Sequence, residues 1–188
     1  LTVKTPTNPS FAIAHVLLGF VYERPSHGYE IYRQLAAPDG LWQVWRIKQS
    51  QLYALLSKLE EASYLTATLQ GQDARPPRKI YALTENGRNV YQKWLTTPVL
   101  HGRQMRLEFL AKLYFAERQD RTVAHQLLKH QTETCQQWLT NLKAQTNSPP
   151  DTGFFAYAVR EFRINQTESF LTWLAACRQA LLPPIDHV

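Results

Sequence analysis

The chain has 188 residues, 44 % of them hydrophobic, with a formal net charge of +6 and a pI of about 9.4. That composition supports a packed core and excludes global disorder. No run of about 18 apolar residues occurs, so no spanning helix or membrane partner is expected. Leu1 to Ser10 also lacks the basic-then-apolar plan of a secretory signal, and the expected location is cytoplasmic. Residues 1–100 hold 11 Lys/Arg and 7 Asp/Glu, and residues 101–188 hold 10 and 8. This modest excess permits nucleic-acid binding without proving it.

Pro6 and Pro9 mark an extended lead-in, and Phe11 to Tyr22 reads as a helix with almost no polar face. Arg24-Pro25 stops it. Ser26 is placed to cap a second helix, His27 to Ala37, which ends at the break Pro38-Asp39-Gly40. Leu41 to Ile47, with Trp42, Val44 and Trp45, reads as a short β-prone piece. Lys48 to Ser63 is the third helix. Its Leu52, Leu55, Leu56 and Leu59 stand at i, i+3, i+4 and i+7, a core stripe.

Tyr64 to Leu69 and Arg78 to Leu83 read as two strands joined by a basic, proline-containing turn, Gly71 to Pro77. Thr84 opens a fourth helix that runs to about Leu95. Thr96 to Gly102 is the domain boundary, giving a first domain of residues 1–98 and a second of 99–188. Three helices follow, at Gln104 to Arg118, Thr122 to Gln145 and Phe154 to Leu182. The fold class is mainly α with a small β-hairpin, and the order of elements in residues 1–98 is that of a winged helix-turn-helix. In that arrangement the third helix gives one face to the core and the other to the DNA major groove, which at about 12 Å wide admits one helix.

The residues also carry a family resemblance. Glu23-Arg24-Pro25-Ser26-His27-Gly28-Tyr29-Glu30, within Ala14 to Leu35, resembles the opening of PadR-family regulators. So do Gln51-Leu52-Tyr53-Ala54-Leu55-Leu56-Ser57-Lys58-Leu59-Glu60 and Arg78-Lys79-Ile80-Tyr81-Ala82-Leu83-Thr84-Glu85-Asn86-Gly87-Arg88. Three blocks in the right order over residues 11–95 are specific. Arg106 to Ala116 resembles the longer subgroup of the family, whose C-terminal helices form the dimer contact. Ala54 departs from the pattern, where proline is common; it keeps the helix intact and puts in doubt any contact that depends on proline.

The resemblance implies a dimeric DNA-binding transcriptional regulator, read as a repressor on a palindromic operator in double-stranded DNA. Lys48, Ser50, Gln51, Tyr53, Ser57 and Lys58 are the expected DNA-contacting residues of the third helix. Arg75, Arg78 and Lys79 are those of the wing, placed for phosphate or minor groove. Lys48 or Lys58 pairing with Glu60 or Glu61 is the plainer alternative for the lysines. Gly87 reads as a site of close packing. At His27-Gly28-Tyr29 two readings stand level: helix N–H groups holding a phosphate, or Tyr29 in the core with Gly28 allowing close approach.

The family's use of small phenolic or drug-like ligands also implies a small aromatic effector. Trp42, Trp45 and Trp94 are the flat-walled candidates, with plain packing as the preferred reading. The last helix and the first present more apolar surface than one core demands, which predicts a homodimer through both. Cys135 and Cys177 lie far apart with no CxxC and read as small buried hydrophobes. The histidines show no metal spacing, and no P-loop, GxSxG or GxGxxG occurs. No cofactor, metal or enzymatic activity is therefore expected. The alternative function is a winged-helix protein-interaction module without DNA binding, which would not need Arg75, Arg78 and Lys79 together.

Overall fold

The computed structural model describes residues 9–72, 75–144 and 153–181, with side chains described from residue 12 and, in the hairpin, up to 71 and again from 78. Among the described residues eight α-helices run in order: α1 Pro9–Glu23, α2 Gly28–Leu35, α3 Gln49–Glu61, α4 Glu85–Thr96, α5 Gly102–Gln104, α6 Leu110–Gln119, α7 Arg121–Ala144 and α8 Phe154–Ala180. Three strands, β1 Ser26–His27, β2 Leu65–Gln72 and β3 Arg75–Leu83, form one antiparallel sheet in the order β1-β3-β2. The described residues fall into two compact units, 1–95 with 110–115, and 96–109 with 116–188.

The core of the first unit follows the sequence pattern. Leu52, Leu56 and Leu59 of α3 are buried with Ile31 and Leu35 of α2 and Val16, Leu17 and Phe20 of α1, while Leu55 is only half-buried. Phe115 meets Phe20 and Tyr91 edge-on, at ring-centroid distances of 5.2 and 6.0 Å, and Gly19 leaves the room it needs. Burial pushes the Tyr91 phenol well above its ordinary pKa.

Three local expectations are corrected. The β-prone piece Leu41 to Ile47 is no strand: Leu41–Gln43 is a turn of 3-10 helix. Its amides bond locally, Val44 N–H and Trp45 N–H both to the Leu41 carbonyl. The place beside β3 is taken by Ser26–His27, so Ser26 pairs with Tyr81 instead of capping α2. His27 is the cap residue, its N–H donating to the Glu30 carboxylate at 3.1 Å. The wing is also longer than expected. Pro76 and Pro77 lie within β3, beyond the reach of two-residue β1, so that end of β3 has a neighbour on one side only. That is where a strand tolerates proline, and the register shifts there, between Gln70 and Gln72.

In the second unit, Gln131 of α7 holds both backbone groups of Val99: its side-chain oxygen accepts the Val99 N–H at 2.8 Å and its amide donates to the Val99 carbonyl at 3.2 Å. Met105–Phe109 is a π-helical turn between α5 and α6, where one continuous helix was expected. Phe109 meets Trp173 of α8 edge-on. Among the described residues, no helix is long and apolar enough to cross a membrane.

Candidate nucleic-acid interface

α3 turns one face inward and leaves the other exposed. Lys48, Gln49, Ser50, Gln51, Tyr53, Ala54, Ser57 and Lys58 all lie on the exposed side. The structure thus brings the six expected helix residues onto one open, polar, weakly basic face. Two of them have additional roles. The Gln51 side-chain oxygen accepts the Lys48 N–H at 3.0 Å, so Gln51 caps the helix it sits on. The Tyr53 ring rests on α2, where a Cβ at Gly28 would come within 2.6 Å of it, yet Tyr53 remains 41 % exposed.

The corner between α3 and the wing is fixed by backbone. Ser63 turns it with a φ of 57°. Thr84 then donates its hydroxyl to the Ser63 carbonyl at 2.8 Å, and the Gly87 N–H donates back to the Thr84 oxygen at 3.0 Å. A Cβ at residue 87 would collide with the Tyr64 carbonyl. This explains why the turn of α4 after Thr84 carries glycine.

The wing residues fare differently. Arg78 is exposed. The Arg75 side chain lies outside the described residues. Lys79 is exposed too, but its ammonium meets the Glu60 carboxylate at 2.9 Å, and that hydrogen bond raises its pKa. Glu60 therefore pairs across to the wing, not along α3 with a helix lysine. The Lys79 carbonyl is held by the His27 ring at 3.0 Å. Sequence spacing had paired neither Glu60 nor His27 with Lys79, because it lies 19 and 52 residues away from them. Tyr29, which one of the two readings of His27-Gly28-Tyr29 placed in the core, is 56 % exposed at the start of α2.

Trp94 is buried, stacked on His15 and near the Lys112 ammonium. Trp42 is half-buried under Arg46. A pocket of about 570 Å³ opens elsewhere, within the second unit. Its lining includes Trp138, Phe162, Leu142, Arg103 and Arg163 and no acidic side chain.

A helix with an open polar face, set beside a three-stranded wing, defines a winged helix-turn-helix of the nucleic-acid-binding class. Comparison with known proteins agrees. Residues 17–93 match the transcriptional regulator PadR-like family, and residues 105–181 match the virulence activator alpha C-terminal domain. Residues 17–93 thus form a domain of the PadR-like family of transcriptional regulators, with that C-terminal domain following. It is 26 % identical to the negative transcriptional regulator PadR of Bacillus subtilis (strain 168), covering 93 % of this chain and 97 % of that protein. Solved structures of Bacillus subtilis PadR are similar as well. The complex with operator DNA is 23 % identical with a TM-score of 0.47, covering 90 % of this chain and 99 % of the other. The complex with p-coumaric acid is 22 % identical with a TM-score of 0.40, covering 93 % and 98 %.

Proposed function

We propose that the chain is a repressor that binds a palindromic operator as a homodimer, with α3 in the major groove and the wing on the backbone. The carrying observation is the exposed face of α3, where Ser50, Gln51, Tyr53 and Ser57 stand between Lys48 and Lys58. Hydroxyl and amide groups suit base edges, and the flanking cations suit phosphates. Arg78 supplies the wing's phosphate contact. Repression is supported by the relative's name as a negative regulator. The protein acts by occupying DNA rather than by catalysis, and it works in the cytoplasm with the DNA it binds.

The dimer reading rests on α8. Phe154 and Phe155 are 84 % and 80 % exposed, and Tyr157 and Phe162 are exposed beside them in the chain. Such a band is costly in water and is covered when two copies pair. The share expected for the first helix is withdrawn, since its described side chains up to Val21 are almost all buried within the single chain. In this proposal the DNA-binding domain is residues 1–98 and the dimerisation domain residues 99–188, with residues 110–115 grouped with the first compact unit.

Release by a small aromatic effector belongs to the same proposal. The second unit's pocket is its place: Trp138 and Phe162 offer flat apolar walls, and Arg103 and Arg163 suit an acidic group. Phe162 also belongs to the aromatic band of α8, which would let a filled pocket alter the dimer. An electrophoretic mobility shift on the DNA upstream of the protein's own gene tests the core of the reading. The expected result is a retarded band that fades as salt rises. A folded protein that leaves the band unmoved at low salt would favour the protein-interaction module instead.

A further inference from the structure

The two wing cations that adjoin in sequence, Arg78 and Lys79, are not equivalent. Neighbouring residues of a strand point to opposite faces of the sheet. Lys79 therefore shares a face with Tyr81, which is 4 % exposed, and Arg78 shares the other with Ile80. On the Tyr81 side lies the C-terminal turn of α3, and there Lys79 meets Glu60 at 2.9 Å. The Lys79 backbone is tied as well, through the His27 ring at 3.0 Å and the β1–β3 pairing of His27 with Ile80.

We propose that Glu60 tempers DNA binding: it holds the Lys79 ammonium off the phosphate backbone and so lowers the affinity for DNA of any sequence. The argument rests on the DNA-binding reading above. Phosphate contacts supply nearly all sequence-independent affinity, whereas base edges supply discrimination. A cation neutralised within the protein releases no counterion from DNA. Withholding it depresses binding to every sequence while the α3 contacts stay in place, so base contacts account for a larger share of the affinity that remains. The pair is exposed, so its value to fold stability is small, and a role in binding accounts for it better than a role in folding.

The test is fluorescence anisotropy of the full chain on a fluorescein-labelled duplex of mixed sequence. One phosphate contact changes affinity by about 3.5-fold between roughly 50 and 200 mM salt, from a slope of about 0.9 per contact. Glu60→Gln is expected to bind this duplex more tightly at low salt and to lose that much more affinity than wild type over the same range. Lys79→Met is expected to keep the wild-type slope, and Glu60→Gln with Lys79→Met to return to it. The double variant separates release of Lys79 from simple removal of a negative charge, and Lys79→Met probes the pair independently of Glu60. A Glu60→Gln slope equal to wild type, or a slope about one unit lower in Lys79→Met, would overturn the proposal while leaving the DNA-binding reading in place. A folded wild type that does not bind the duplex at all would overturn both.

Discussion

Gly28 and Tyr53 fit together so closely that a Cβ on residue 28 would stand 2.6 Å from Cε1 of the tyrosine ring. The helix that leads into the motif thereby sets the position of an aromatic side chain on α3, the helix proposed to read DNA. Gly28→Ala should displace Tyr53 and leave the fold intact, because the crowded atoms are the far end of a side chain and alanine favours a helix more than glycine. Thermal unfolding should shift by no more than about 1 kcal/mol in stability, while operator affinity falls. A variant that binds its operator as wild type does would remove Tyr53 placement from the mechanism.

Gly87 is the contrasting case. Its neighbour is the Tyr64 carbonyl, and backbone cannot swing aside. Gly87→Ala should destabilise the protein by about 1–3 kcal/mol or more, the range for overpacking a site that cannot yield. Gly71→Ala, with nothing within 4 Å of the added carbon, should stay within about 0.5 kcal/mol of wild type. Equal melting temperatures for the two variants would contradict the corner described here.

Helix and wing should separate in their effects on binding. Arg78→Ala should weaken binding on every sequence and lower the salt slope by about one. Tyr53→Ala and Ser50→Ala should change which sequences bind, each at a cost of about 1–3 kcal/mol on its preferred base pair. A uniform loss on operator and random DNA in the helix variants would mean that these residues only touch backbone.

Assembly is open to direct measurement. Light scattering should return twice the 21.8 kDa chain mass. Phe154→Glu with Phe155→Glu should return the monomer and weaken operator binding, since two half-sites would no longer be held as one linked event. A wild-type monomer that still binds its operator would end the palindrome argument.

The parts of this protein governed by local periodicity were readable from sequence. The stripe Leu52, Leu56 and Leu59 located α3, and its complement located the polar face. The hairpin was readable in kind but not in length. Pro76 and Pro77 look like turn residues until the shortness of β1 shows that their stretch of β3 has an open side. Trp42, Val44 and Trp45 have strand propensity, yet a strand needs a partner, and Ser26–His27 had taken the place. The pairing of Lys79 with Glu60 was hidden because it depends on which side of the sheet a side chain leaves, and on where a helix 19 residues earlier ends. Gln51, three residues after Lys48, did carry a legible sign of capping in the spacing itself.

Selection from a randomised pool of duplex DNA tests the central claim most directly. Repeated rounds on the full chain in moderate salt should enrich an inverted repeat whose half-site centres lie about one helical turn, roughly 34–36 Å, apart. Tyr53→Ala should enrich a different or weaker sequence. A pool that stays random through rounds in which the folded protein retains DNA would contradict sequence-specific recognition by α3.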